Sequence, residues 1–156
     1  MKKVHWLKSQ KGRYMTQDTN PSGVPEGFRT LRNSARAETH VGPFYYKKND
    51  DELTLGFLAG DQHSNAIGGV HGGVLMFFAD YAVVMSAMKG QKENCATISA
   101  SCDFVSSAHT GEWVEAEATI TRRTGSMVFV SGRIYVGDKT VMTVQSVLKR
   151  IIPREK

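Results

Sequence analysis

The spacing of apolar positions changes several times along the chain, and each change marks an element. The first two dozen residues are polar and interrupted by Asn20, Pro21, Gly23 and Pro25, so residues 1–25 read as a flexible extension or surface arm. Pro25 suits a first helical position, and Phe28, Leu31 and Ala35 recur at helical spacing. A short amphipathic helix over about 26–38 is therefore expected, ended by Gly42-Pro43. Two strand-like runs follow at 44–48 and 53–58, and the polar tetrad at 49–52 between them reads as a hairpin turn. Residues 60–70 form a loop that carries Gly68 and Gly69. Residues 74–88 then contain 13 apolar positions out of 15, broken only by Asp80 and Ser86. That run is too long for a strand, and a helix apolar all round must be buried on nearly every side. Gly90 stands where a helix C-cap favours glycine.

Beyond the helix the period falls to two. In 97–105, Ile98, Ala100, Cys102 and Phe104 alternate with Thr97, Ser99, Ser101 and Asp103. Val114, Ala116, Ala118 and Ile120 alternate with glutamates and threonines in the next run. Thr124-Gly125-Ser126 and Gly137-Asp138 then turn the chain through strands at 127–136 and 139–152. Connections this short permit only an antiparallel meander. The pattern predicts an α+β domain over residues 26–156, an antiparallel sheet of five or six strands wrapped around one long helix. At about 25 cal/mol per Å² of apolar surface, that helix is the largest single contributor to the core.

Composition narrows the picture further. A chain of 156 residues, 40% hydrophobic and 22% charged, suits one folded domain. The net charge of +5 is moderate and scattered, which argues against nucleic acid as a partner while permitting an anionic ligand. The longest apolar run is shorter than the 18 or so residues a membrane span needs, so no membrane partner is expected. Residues 1–14 lack the apolar run of a secretory signal. Cys95 and Cys102 lack CxxC spacing, and a reduced, cytoplasmic setting is expected. His5, His40, His63 and His109 are too dispersed for a metal site. Ser64, Ser86 and Ser99 lack a nucleophile elbow. The cysteines read as small buried hydrophobes rather than nucleophiles.

Two features could carry chemistry. Asp80 is the one acid in the apolar helix, and a buried carboxylate needs a partner or a purpose; a hydroxyl such as that of Thr97 would satisfy it. The helix begins at Gly68-Gly69-Val70-His71-Gly72-Gly73, where unpaired N–H groups can stabilise developing negative charge and glycine lets a ligand approach closely. The lesser alternative is that the glycines only permit tight packing of helix on sheet. A phosphate-loop signature is absent. His71 and Asp80 stand nine positions apart, about half a turn out of phase and about 13.5 Å along the axis. Within one helix they cannot meet at one reacting group. Either one is irrelevant, or a second copy, with its helix antiparallel, supplies the other.

The run Asn65-Ala66-Ile67-Gly68-Gly69-Val70-His71-Gly72-Gly73, followed by Asp80 in an apolar helix, resembles the hotdog-fold acyl-CoA thioesterases of the phenylacetic-acid-degradation type. The likeness covers about residues 40–152 and extends to the strand order. It implies a sheet wrapped around the helix, a homo-oligomer (a dimer or a dimer of dimers) with shared active sites, and hydrolysis of aryl or short- to medium-chain acyl-CoA. No cofactor is implied, since coenzyme A belongs to the substrate. The resemblance makes Asn65 and the Gly72 amide the groups that polarise the thioester carbonyl. It makes Asp80 of the neighbouring subunit the base or nucleophile, with Thr97 orienting water or carboxylate. His71 is expected to brace the loop rather than act as base, and Gly73 to lie beside the bound CoA.

Arg122, Arg123, Lys149 and Arg150 read mainly as surface charge, with the first three candidates for the CoA phosphates. Phe77, Phe78 and Tyr81 would line the acyl pocket, although core packing is the stronger reading for at least two of them. A non-catalytic acyl-CoA or lipid-binding module on the same fold would have no need of Asp80. A hotdog hydratase would be expected to carry a D-x-N-P-x-H-like loop, which this sequence lacks.

Overall fold

The computed structural model describes residues 22–30, 35–49 and 52–152. The apolar run forms helix α2 (Gly72–Met88), counting α1 as the short helix Arg36–Val41 that precedes it. His71 is its N-cap, and Lys89 its C-cap. Gly90 follows with φ of +70°, a left-handed conformation that glycine adopts without Cβ strain.

The strands are β1 (Arg29–Thr30), β2 (Tyr45–Asn49), β3 (Glu52–Leu58), β4 (Asn94–Phe104), β5 (Trp113–Arg123), β6 (Met127–Val136) and β7 (Lys139–Ile151). They make one antiparallel sheet in the order β1-β2-β3-β5-β6-β7-β4. The hairpin and the meander form as their turn residues predict. Because the chain leaves α2 at the far side of the sheet, β4 pairs with β7 and becomes an edge. Phe57, Phe78, Val83, Val114, Val128, Ile134 and Leu148 fill the space between helix and sheet, each fully buried. This is the hotdog architecture.

Four local expectations are corrected. The helix expected over 26–38 does not begin there: Gly27 has φ of +87°, and Arg29–Thr30 pair with Tyr46 and Tyr45 as β1. Phe28 is buried edge-on against Trp113, with ring centroids 4.9 Å apart. That contact with the sheet outweighs the helical spacing of Phe28, Leu31 and Ala35; of these, Leu31 lies outside the described residues, as do residues 1–21 of the expected extension. Helix α1 begins only at Arg36, although Gly42 does end it.

The strand count is the second correction, since β1 makes seven strands rather than five or six. Third, residues 60–70 are not loop throughout, because Asp61–His63 form a 3₁₀ turn. His63 holds this turn from inside: Nδ1 accepts the Gly60 N–H at 2.9 Å, and Nε2 donates to the Val41 carbonyl at 2.6 Å.

The fourth concerns β4. Thr97 pairs with Leu148 but Ser99 with Val147, so Ile98 is the extra residue of a β-bulge. Side chains beyond a bulge change faces. Thr97 therefore joins Ala100, Cys102 and Phe104 on the helix side, and Ile98 leaves it, 57% exposed.

Nor is α2 buried on every side within the chain. Leu75, Phe78, Ala79, Ala82, Val83, Ser86 and Ala87 face the sheet, but Gly73, Met76, Asp80 and Val84 lie on a face the sheet covers only in part, Asp80 touching Thr97 of edge strand β4 and Met76 being 46% exposed.

A buried ionic cluster pins the far end of α2. The Glu93 carboxylate receives hydrogen bonds from Arg123 at 2.7 Å and from Arg150 at 2.8 Å. Arg123 also donates to the Ala87 carbonyl, and Arg150 to those of Thr124 and Gly125. Arg123 and Arg150 are thus engaged, not solvated surface charge as the sequence suggested.

Hydrogen bonding and charge from Arg150, with Arg123 beside it, hold the Glu93 carboxyl below its ordinary range despite its burial. A carboxyl depressed in the fold stabilises above the pKa it has in the unfolded chain, and that contribution fades as pH falls through the lower, folded value. Thermal melts should therefore show Glu93→Gln losing stability relative to wild type at pH 7, with the gap closing in strong acid. A gap independent of pH would show that the charge is not what matters.

Candidate active site

The loop before α2 is built around the Asn65 side chain. Its Oδ1 accepts the N–H groups of Ile67 and Gly69, each at 3.0 Å, while the Asn65 N–H donates to the Gly69 carbonyl at 2.7 Å. Gly68 supplies the positive φ of +83° this tight loop needs. Val70 N–H to the Ala108 carbonyl and His71 N–H to the His63 carbonyl, both at 2.8 Å, clamp the loop to its neighbours. Because Oδ1 is used in holding the loop, the Asn65 amide Nδ2 has no partner among the described residues.

The helix start is arranged in a complementary way. His71 Nδ1 accepts the Gly73 N–H at 2.9 Å, and the Val74 and Leu75 N–H groups both donate to the His71 carbonyl. Among the described residues, the Gly72 N–H alone of these four helix-start amides lacks an acceptor. His71 is thus a helix cap, and an Nδ1 that accepts must carry no proton. The Gly73 N–H is occupied by that cap. This corner of the molecule offers two unfilled donors, one from the Asn65 side chain and one from the Gly72 backbone.

Asp80 lies further along α2, and the Thr97 hydroxyl donates to its Oδ1 at 2.6 Å. The bulge in β4 makes that contact possible. Cys102 lies on the same side of β4; burial, then the negative charges of Asp103 and Asp80, push its thiol up. Burial and Glu93 push Cys95 up likewise. Neither is a ready thiolate.

From Gly72 to Asp80 the helix rises about 12 Å, so the donors and the carboxylate of one chain do not converge. The remaining candidates lie apart from both. Arg122 and Lys149 are exposed and sit beside Arg123 and Arg150 in their strands, both of which are bound to Glu93. Phe78 is core, while Phe77 and Tyr81 are half-buried and stack on Phe44 at 6.0 and 5.3 Å. A depression of about 580 Å³ opens where β3 stops short of the end of β5, beside Ser86 and Lys89. It is lined by neither Asp80 nor the helix start, so its size says nothing about the chemistry. Among the described residues no cluster of His, Cys, Asp and Glu could hold a metal.

Residues 67–143 match the family model described as the thioesterase superfamily. The fold is the hotdog fold, and the matched residues resemble the thioesterase superfamily. A curated Pseudomonas aeruginosa protein named as an esterase is 28% identical over 127 residues, which are 80% of this chain and 95% of that one. With the esterase-named relative, that match supports a thioester hydrolase.

Solved structures share the fold at lower identity. The E. coli PaaI protein of the phenylacetic acid degradation operon has a TM-score of 0.69 at 17% identity, over 76% of this chain and 86% of its own. A Ralstonia eutropha protein described as phenylacetic acid degradation-related has a TM-score of 0.67 at 21% identity, over 74% and 91%. A Bacillus halodurans protein, solved with CoA, has a TM-score of 0.68 at 18% identity, over 79% and 83%.

Sequence reasoning missed two residues at this site. Met76 looked like one more apolar residue of a buried helix. Phe104 looked like an ordinary strand residue, and nothing in the local pattern places its ring over Gly72.

Proposed function

We propose that the protein hydrolyses acyl-CoA thioesters, with aryl or short- to medium-chain acyl groups, in a site shared by two chains. The observation that carries this is the pair of unfilled donors, Asn65 Nδ2 and the Gly72 N–H, in a chain whose catalytic carboxylate stands half a helix away. A thioester carbonyl held by those donors is polarised where negative charge develops in the tetrahedral transition state. Asp80 of the second chain takes a proton from water as the water oxygen attacks the carbonyl carbon. The C–S bond then breaks, and the thiolate leaves without strong acid assistance. Thr97 holds the Asp80 carboxylate through Oδ1, leaving Oδ2 for the water.

Symmetry supports the sharing. In a two-fold pair of antiparallel helices, Asp80 of one faces Gly72 of the other when the axis passes the residue midway between them. That residue is Met76, the large apolar side chain of α2 that the chain leaves most exposed. The edge strand β4 is open to pair across the same axis. The arrangement also sets the partner's α2 C-terminus, with its Arg122 and Lys149 nearby, about 12 Å along the axis beyond the reacting carbonyl, within reach of CoA phosphates at the end of a pantetheine arm. The Bacillus halodurans neighbour solved with CoA is consistent with that substrate. In this reading the enzyme is a cytoplasmic homodimer or dimer of dimers, with residues 26–156 as its single domain.

Free-thiol release across a panel of aryl and alkyl acyl-CoAs tests the activity; tight binding without turnover would favour the binding-module reading instead. Subunit mixing tests the sharing. Asn65→Ala and Asp80→Asn chains, each inactive alone, are expected to recover about a quarter of wild-type activity when dissociated and reassembled at equal ratio, because half the dimers then hold one intact site. No recovery would place both groups in one chain's site.

A further inference from the structure

Phe104 ends β4 on the side that faces α2, and its ring lies over the helix start. A Cβ built on Gly72 would stand 3.2 Å from both Cε1 and Cζ of that ring. Glycine at this position is what allows the ring to come so close. The ring is nonetheless 52% exposed. Part of the ring packs on the helix start at Gly72, and the rest is open beside it. The Asn65 loop reaches the same helix start, tied to the segment after β4 by the Val70–Ala108 hydrogen bond and the Gly69–His109 bridge. The approach to Gly72 is therefore bordered by an aromatic ring and a loop braced by backbone hydrogen bonds.

We propose that Phe104 is a specificity-determining residue, a wall that admits acyl groups flat or unbranched beside the carbonyl and rejects those branched there. The inference rests on the thioesterase reading of the same site. A carbonyl oxygen hydrogen-bonded to the Gly72 N–H lies about 3 Å from that nitrogen, which brings the adjoining acyl carbon against the Phe104 ring. A flat or linear group passes along the ring face. A methyl branch must displace either the ring, which is packed on Gly72, or the carbonyl, which then leaves its donors. One methyl group more or less in such a place typically changes kcat/KM by about 10- to 200-fold.

The experiment compares butyryl-CoA with 2,2-dimethylpropanoyl-CoA for wild type, Phe104→Ala and the milder Phe104→Leu, with folding checked by circular dichroism. The butyryl preference is expected to shrink at least about tenfold in Phe104→Ala and less in Phe104→Leu. Intrinsic reactivity cancels, because each comparison is between enzymes. A ratio unchanged in both variants, with wild type active, overturns the proposal and leaves the thioesterase reading intact.

Calorimetric binding of the matching S-(2-oxoalkyl) CoA thioethers, which keep the carbonyl but cannot be hydrolysed, supplies a readout independent of turnover. Selective binding of the linear analogue by wild type, lost in Phe104→Ala, would support the wall even if no thioester were hydrolysed. Equal binding of both analogues by wild type would overturn it.

Discussion

Asp80→Asn is expected to lower kcat by at least about 100-fold, the lower end of what a positioned general base contributes, with little change in KM or thermal stability. The substitution is close to isosteric, and the amide oxygen can still accept the Thr97 hydroxyl hydrogen that Oδ1 now accepts at 2.6 Å. What disappears is the basic oxygen that would take the proton from water. The donors Asn65 Nδ2 and Gly72 N–H are untouched, so substrate should still dock. Asp80 is only half-buried and asparagine is nearly the same size, so its replacement opens no cavity. A drop in kcat at constant KM marks an interaction made only in the transition state. Steady-state kinetics on one well-turned-over acyl-CoA would decide the matter. Turnover within a few-fold of wild type would remove Asp80 from the mechanism and leave the carbonyl donors as the whole of the site.

The main architecture was legible because its signals are local. A run of 13 apolar residues in 15 leaves only a helix, and two- and three-residue turns leave only an antiparallel meander. The separation of Gly72 and Asp80 was legible for the same reason, since a helix start and a helix middle are positions along one axis, whereas Asn65 was singled out by the family resemblance alone.

What stayed hidden depends on pairing between distant segments. The bulge at Ile98 shows only in how β4 registers against β7, and without it strict alternation sends Thr97 away from Asp80. Helical spacing of Phe28, Leu31 and Ala35 lost to a contact between Phe28 and Trp113 across 85 positions. Arg123 and Arg150 looked like surface charge because their acceptor, Glu93, comes from another part of the chain. A helix that looks uniformly apolar does not say which of its faces the chain's own sheet will cover. Here the answer separates a core face from one that needs a second copy.

Met76→Lys is expected to convert the protein to a monomer and reduce activity below about 1% of wild type, with the far-UV circular dichroism unchanged. Met76 is 46% exposed, so the substitution should cost the isolated chain little. At a two-fold axis it costs much more, because two ammonium groups would be brought together and stripped of water, a penalty of several kcal/mol for each buried ion. Met76→Leu keeps the apolar contact and should keep both dimer and activity. Light scattering with chromatography reads the mass, and thiol release reads the chemistry. The two readouts should fall together, since Gly72 and Asp80 of one chain are separated by about 12 Å of helix. A thioester carbonyl and its attacking water stand only about 3–3.5 Å apart at the point of reaction, so no substrate pose within one chain uses both groups. A monomeric Met76→Lys variant with full activity would therefore disprove the shared site, and with it the roles assigned to either Gly72 or Asp80.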